Sequence, residues 1–294
     1  MDTKFKLKYK ELGDKDWLIS KYINEKLSLK QIAEIVGCGF CGVRSAIKRK
    51  NIPLRTKGEG LRNLRRCGQD FFTFDKSVIE GSLLGDAHLH KQNKKSKDSH
   101  ASFHKGNIHY DHTYFVASKL FSANVENRIR ERSNAYGFYK KYPNSSPVIF
   151  RISSLVHDEL GQLFEDWYPE SNDYKKIIPS SIEINKKVLL HWFLDDGYSY
   201  HYVRKSKPNK RMEIKSYRYL RIQFATQSFS KEDLDMLSEK IYKKFELKIT
   251  PRFHQKHGKI SGSGYYMELS EGQTNLFYEI IGPPPVASLA YKWK

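Results

Sequence analysis

Two stretches of the chain, VIEGSLLGDAHLH at 78–90 and VLLHWFLDDGYSY at 188–200, superpose when the sequence is shifted by 110 residues against itself. Ile79, Leu83 and Asp86 then coincide with Leu189, Phe193 and Asp196. The i, i+4, i+7 spacing places two apolar side chains and one carboxylate along a single helical stripe. The residues after each stretch also repeat. A candidate strand near Phe103 or Phe224 precedes a helix through Tyr114, Phe115 and Leu120, or through Leu234, Leu237 and Ile241. The strands SPVIFRIS and GYYMELS come next, then apolar helices ending near Trp167 and Ile281. Such a repeat implies one architecture built twice. Each half reads helix, strand, strand, helix, strand, strand, helix, which predicts an α+β fold with a first half at 71–178 and a second at 179–294.

A carboxylate closing one apolar stripe is ordinary helix chemistry. Two such stripes packed together bring both carboxylates to one place, where at about 5 Å and an effective dielectric near 20 their repulsion is roughly 3 kcal/mol. A packing device has no use for that cost, and a divalent cation removes it. Hard oxygen donors without a His/Cys cluster favour Mg²⁺ over zinc, with Mn²⁺ as a substitute or Ca²⁺ in a non-cleaving complex. Gly81 and Gly85 are small enough for close helix contact, whereas the matching His191 and Asp195 are not, so the helix interface is expected to be asymmetric.

Lys and Arg number 52 against 33 Asp and Glu, a formal charge of +19. This excess favours a polyanionic partner, and double-stranded DNA leads over an anionic membrane because no sustained basic amphipathic helix is present. No apolar run approaches a spanning helix and the N-terminus lacks a signal-peptide core, which predicts a cytoplasmic protein. Cys38, Cys41 and Cys67 are too few and too odd in number for a disulfide framework. The spacing of Cys38 and Cys41 suits half a zinc site, but without a second pair they read as small packing residues.

Residues 1–53 predict a small all-α helix-turn-helix domain. Trp17, Leu18, Tyr22 and Ile23 have helical spacing, Ser28 caps a helix burying Leu29, Ile32, Ala33 and Val36, and Gly37 and Gly39 break it before a helix carrying Val43, Ala46 and Ile47. Arg44, Ser45, Lys48 and Arg49 fall on the opposite face, suited to DNA contact. Residues 54–70, with four arginines and three glycines, predict a basic linker.

The stretches IEGSLLGDAHL and LLHWFLDDGYS, with TQSFSKEDLDML, KFELK and LAYKWK in the second half, resemble the LAGLIDADG homing endonucleases, specifically the single-chain, two-motif, intron-encoded type. The resemblance implies a pseudo-symmetric tandem αββαββα fold with two motif helices at the centre, two antiparallel sheets forming DNA-binding saddles, and a monomer that cuts both strands leaving short 3′ overhangs. It implies Asp86 and Asp196 as the metal-holding acids, with the backbone carbonyls of Gly85 and Asp195 beside them. It also implies a basic catalytic residue before the third strand of each half, Lys259 and Lys141 or Lys140, and a place near the scissile region for Gln227. Residues after the first motif, His88 and His90, are expected to contact DNA. Lys205, Lys207, Lys210, Arg211, Arg218 and Arg221, on or near the first hairpin of the second half, are also candidates for DNA contact. A non-cleaving DNA-binding regulator or an RNA maturase would use the same scaffold. Retention of both acids argues against the regulator, while no residue separates the maturase.

Overall fold

The computed structural model describes residues 9–25, 27–55, 71–94, 100–133, 148–205, 216–254, 263–269 and 272–294. The chain divides into two compact units, 1–70 and 71–294.

In the first unit, helix α1 (Lys15–Ile19) continues into a π-helical turn at Ser20–Asn24, followed by α2 (Leu29–Val36) and α3 (Phe40–Arg49). Ser28 and Gln31 form a capping box at the start of α2, and Gly37 ends it at φ 71°, a left-handed conformation that glycine adopts without steric cost. Leu18, Tyr22, Ile32, Ala33, Val43, Ala46, Ile47 and Ile52 make its core. Leu54 joins this core and Arg55 lies over the Tyr22 ring at 3.8 Å, so both pack on the helices rather than opening the linker. Cys38 packs partly against the core as expected, whereas Cys41 is exposed.

The second unit carries the repeat. Its first half runs α4 (Lys76–Leu84), β1 (His88–His90), β2 (Ser102–Asn107), α5 (Tyr110–Leu120), a single turn α6 (Val125–Arg128), β3 (Ile129–Ser133), β4 (Val148–Ser153) and α7 (Asp158–Trp167). The second half runs α8 (Lys186–Asp196), β5 (Gly197–Lys205), β6 (Ser216–Phe224), α9 (Lys231–Phe245), β7 (Ile249–His254), β8 (Gly264–Leu269) and α10 (Thr274–Ile281). The two sheets are four-stranded and antiparallel, with the equivalent orders β1-β2-β4-β3 and β5-β6-β8-β7.

The apolar stripes end up where their periodicity points. Ile79, Leu83, Leu189 and Phe193 are all buried in one core that spans both halves. Trp192 stacks on Phe224 at 3.9 Å, and Phe193 meets Phe277 and Trp293 edge-on. The motif helices α4 and α8 are anchored side by side at their N-termini. Asp75 caps Val78 N–H, Asn185 caps Val188 N–H and donates to Ser77 Oγ at 2.8 Å, and Lys187 pairs with Asp75 at 3.0 Å. The close approach uses the two glycines. A Cβ on Gly81 would stand 2.6 Å from the Val188 carbonyl oxygen, and one on Gly85 would stand 2.8 Å from Asp195 Oδ2. Gly81 thus faces His191 and Gly85 faces Asp195, the asymmetric interface that the sequence predicts.

Candidate active site

Asp86 lies just past Gly85, the C-cap of α4, and Asp196 is the last residue of α8, so both acids stand at the C-terminal ends of packed helices. Helix C-termini carry partial negative charge, which adds to the unfavourable proximity of carboxylates. Burial, then the repulsion of Asp86 and Asp195, push Asp196 up to about 7. Asp86 opens to solvent, but the protein packed around it and the neighbouring Asp195 raise its proton affinity too. The two motif acids therefore share one electrostatic neighbourhood.

Two lysines, half-buried Lys176 and buried Lys292, answer that charge. Lys176, in the segment leading from α7 to α8, donates to the carbonyls of Gly85 at 3.1 Å and Ala87 at 3.0 Å. Lys292, in a short 3₁₀ segment near the C-terminus, donates to those of Phe193, Leu194 and Asp195 at 3.1, 2.7 and 3.1 Å. Each ammonium caps one motif helix. Burial holds both lysines down to about 8, against the opposing pull of the three aspartates. The carbonyls of Gly85 and Asp195, expected beside a metal, are thus each met by an ammonium.

Asp195 and Asp196 have different surroundings although they are adjacent. The Asp195 carboxylate is fully buried and accepts both oxygens' bonds from Lys105 of β2. Burial pushes it up and the Lys105 ammonium pulls it back. Asp196 stays partly accessible.

Among the described residues, no three His, Cys, Asp or Glu side chains form a group suited to holding a metal by themselves. Two mutually repelling carboxylates at the edge of solvent are nevertheless a hard-oxygen pair. With water and phosphate oxygens completing the shell, they fit Mg²⁺ or a similar ion, which seldom takes an all-protein cage. Asp86 borders two openings. One, of about 380 Å³, is lined by Asn107, His109, Leu194, Tyr291 and Lys292; the other, of about 420 Å³, by His88, His104, Arg130, Arg132 and Arg151.

Strand alternation sorts the expected DNA contacts. His88 and His90 are exposed on either side of buried Leu89, on the sheet face that also carries His104 and Arg151. In the second half, Tyr198, Tyr200, Tyr202, Tyr219, Arg221 and Gln223 share the outward face. Arg221 lies 4.4 Å above the Tyr202 ring and 3.2 Å from Glu268, so part of its charge is already paired. Lys205 and Arg218 have the opposite register, that of buried Ile222, but lie at the exposed far end of the hairpin. Gln227 is exposed in the turn after β6, its backbone close to Gly264. Arg44, Ser45, Lys48 and Arg49 are exposed on α3 of the first unit, away from its core. Lys259, Lys141, Lys140, Lys207, Lys210, Arg211 and Cys67 lie outside the described residues.

Sequence reasoning missed Lys105, Lys176, Lys292 and the arginines 130, 132 and 151. The only available signal was the position of Lys292 in LAYKWK. Nothing local marks a lysine whose partner is about ninety residues away.

A fold of paired αββαββα halves, with two motif acids meeting where the central helices end, defines a DNA-cleaving class of protein. The model of the LAGLIDADG DNA endonuclease family matches residues 76–277, and the chain belongs to that family. It is 26% identical over 91% of its length to an uncharacterized protein of Methanocaldococcus jannaschii, covering 92% of that protein. It is 25% identical over 74% of its length to a probable intron-encoded endonuclease of Wickerhamomyces canadensis, covering 82% of it. To the cytochrome b mRNA maturase bI2 of Saccharomyces cerevisiae it is 22% identical over 74% of its length, covering 46% of that protein. Among solved structures, the homing endonuclease I-WcaI bound to its DNA recognition sequence aligns with a TM-score of 0.55 at 19% identity, over 84% of this chain and 97% of that one. No helix among the described residues is long and apolar enough to cross a membrane.

Proposed function

We infer that the protein is a site-specific homing endonuclease, acting as a monomer on a long DNA duplex, and that it cuts both strands by Mg²⁺-dependent phosphodiester hydrolysis leaving short 3′ overhangs. The observation that carries this reading is the meeting of Asp86 and Asp196 at the ends of the two motif helices, with the proton affinity of both raised. Asp86 and Asp196 would hold the divalent cation. Such an ion supplies an activated water and a counter-charge for the leaving 3′ oxygen. Lys176 and Lys292 hold the turns that present the acids and set positive charge beside the scissile phosphates. Lys259, Lys141 and Gln227 remain candidates for the same phosphates. His88, His90, Arg130, Arg132 and Arg151 on one sheet, and Arg221, Arg218 and Lys205 on the other, contact the duplex in this reading. Arg44, Ser45, Lys48 and Arg49 of the helix-turn-helix extend the footprint.

The test is selection of cleaved sites from a genomic duplex library with Mg²⁺, repeated with Asp86→Asn and Asp196→Asn. Each variant is expected to lose cutting while retaining DNA binding in Ca²⁺. Normal cutting by either variant refutes the assignment. The similarity to an mRNA maturase favours a second reading, assistance to intron splicing, for which an in vitro splicing assay with the host intron is the readout.

A further inference from the structure

The outward face of the second sheet carries a buried acid. Glu268 of β8 is 8% exposed, although its register, beside Gln223 of β6 and Thr250 of β7, sets it on the face opposite buried Met267 and Phe224. In the endonuclease reading this face meets a polyanion, which repels a carboxylate, and the apolar core on the other side has no use for one. Its partners give it a role. Tyr200 Oη–H donates to Oε1 at 2.6 Å, Arg221 Nη1 donates to the same oxygen at 3.2 Å, and Arg252 Nε lies 3.7 Å from Oε2. Burial, then the bond to Glu268, push the Tyr200 phenol up to about 12, so it stays a donor.

Arg221 is held by charge and by stacking together. Glu268 takes Nη1, the Tyr202 ring lies 4.4 Å from Cζ, and Nε is buried without a partner among the described residues. Of the five guanidinium donors, those at the Nη1/Nη2 end of the fork remain for a ligand. That end stands in the middle of the face, because β6 is an inner strand and Arg221 lies opposite Tyr200, well inside the hairpin. Arg151 of the first sheet is the contrast. It is exposed, and no carboxylate pairs with it among the described residues.

A phosphate rewards free charge and accepts it from many directions. A guanidinium that shares its charge with a carboxylate and has its plane fixed by a ring has lost charge and gained direction, which a base edge repays. A fork of donors matches two adjacent acceptors. In the major groove guanine offers them as O6 and N7, whereas adenine sets an N6 donor beside its N7. We propose that Arg221 is a specificity-determining residue that reads one guanine of the target through O6 and N7, with Glu268, Tyr200 and Tyr202 as the positioning residues that hold its fork. This rests on the endonuclease reading, which puts a duplex against that face.

The test needs binding but no cutting. A duplex selected by binding from a genomic library in Ca²⁺ is resynthesised with each base pair changed in turn to the other three. Wild type is expected to prefer guanine at one position by roughly 5- to 150-fold, and Arg221→Met to lose that preference alone. Replacing that guanine by 7-deazaguanine, which lacks the N7 acceptor, weakens wild type on the order of tenfold and leaves Arg221→Met unmoved. Glu268→Gln separates positioning from packing. It cuts the guanine discrimination by at least about twofold, the lower bound for side chains sharing one network, while unrelated duplexes bind as tightly as before or more so, because a negative charge leaves the face. Uniform weakening of every duplex by Arg221→Met, which marks a phosphate contact, loss of preference for another base, or unchanged discrimination in Glu268→Gln each overturns the proposal. If Arg221→Met does not fold, wild type and Glu268→Gln decide: no guanine sensitive to the deaza change, or a sensitivity that Glu268→Gln leaves unchanged, refutes it. A protein that binds with this preference and never cuts upholds the proposal and refutes the endonuclease reading. One that cuts without the preference does the reverse, and binding to no duplex refutes both.

Discussion

Replacing Gly81 by alanine sets local preference against packing. In an isolated helix the substitution gains about 1 kcal/mol, because glycine loses more backbone entropy on ordering. In α4 the new methyl would lie 2.6 Å from the Val188 carbonyl oxygen, 2.8 Å from His191 Cβ and 3.0 Å from Val188 Cα. Two of these three atoms are backbone and cannot rotate away, so the motif helices must move apart by a large fraction of an ångström. A gap of that size forfeits a quarter to a half of each dispersion contact along the seam, and overpacking of this kind costs about 3 kcal/mol at its upper range. The net loss is then about 2 kcal/mol, which for a unit of this size corresponds to a fall in Tm of roughly 4–8 °C. Differential scanning calorimetry of the full chain measures it, and plasmid linearisation should fall in parallel because the acids at the helix ends move with the helices. A Tm at or above that of the wild type would refute the close-crossing argument.

The site and the core lead to three more expected outcomes. Lys292→Met removes the donor to three helix-terminal carbonyls, and is expected to cost roughly 2–4 kcal/mol of stability by chemical denaturation and to lower cutting strongly; wild-type behaviour in both assays would discount the cap. Glu80, 1% exposed on α4, is pushed up to about 7 by burial, so its proton is bound more tightly in the folded state than in the unfolded one. Its contribution is therefore favourable at low pH and is lost as pH rises from about 4.5 to about 7. Glu80→Gln should stabilise the protein at pH 8 by on the order of 3 kcal/mol and change little at pH 4, as read from melting curves; equal effects at both pH values would contradict the burial argument. Deleting residues 1–70 should shorten the DNase-protected footprint and weaken binding without abolishing cleavage, and an unchanged footprint would leave Arg44, Ser45, Lys48 and Arg49 without a DNA-reading role.

Much of the fold was legible because it rests on periodicity. The stripes at Ile79/Leu83 and Leu189/Phe193 and the cap at Ser28 are local signals with a local cause. The orientation of the hairpin residues was less legible. Lys205 and Arg218 look equivalent to Arg221 in composition, and only the register, with Tyr200 opposite Arg221 and Val203 opposite Arg218, separates their faces.

The sequence by itself determined that two copies of one helix would each deliver a carboxylate to a shared centre, because an apolar stripe must be buried and the acid lies at a set angle along it. It also determined the crossing point of those helices, through Gly81 and Gly85. Only the tertiary structure decided which of two adjacent aspartates would keep partial solvent access and which would have its carboxylate buried against Lys105. One residue of helix turns the side chain by about 100°, and what each then meets is supplied by chain 90 to 97 residues distant: Lys105 and Lys292 around Asp195, and Lys176 at Gly85. Long-range charge pairing leaves no periodic trace in a sequence. The acids could be found by reading along the chain, and the cations that balance them only by folding it.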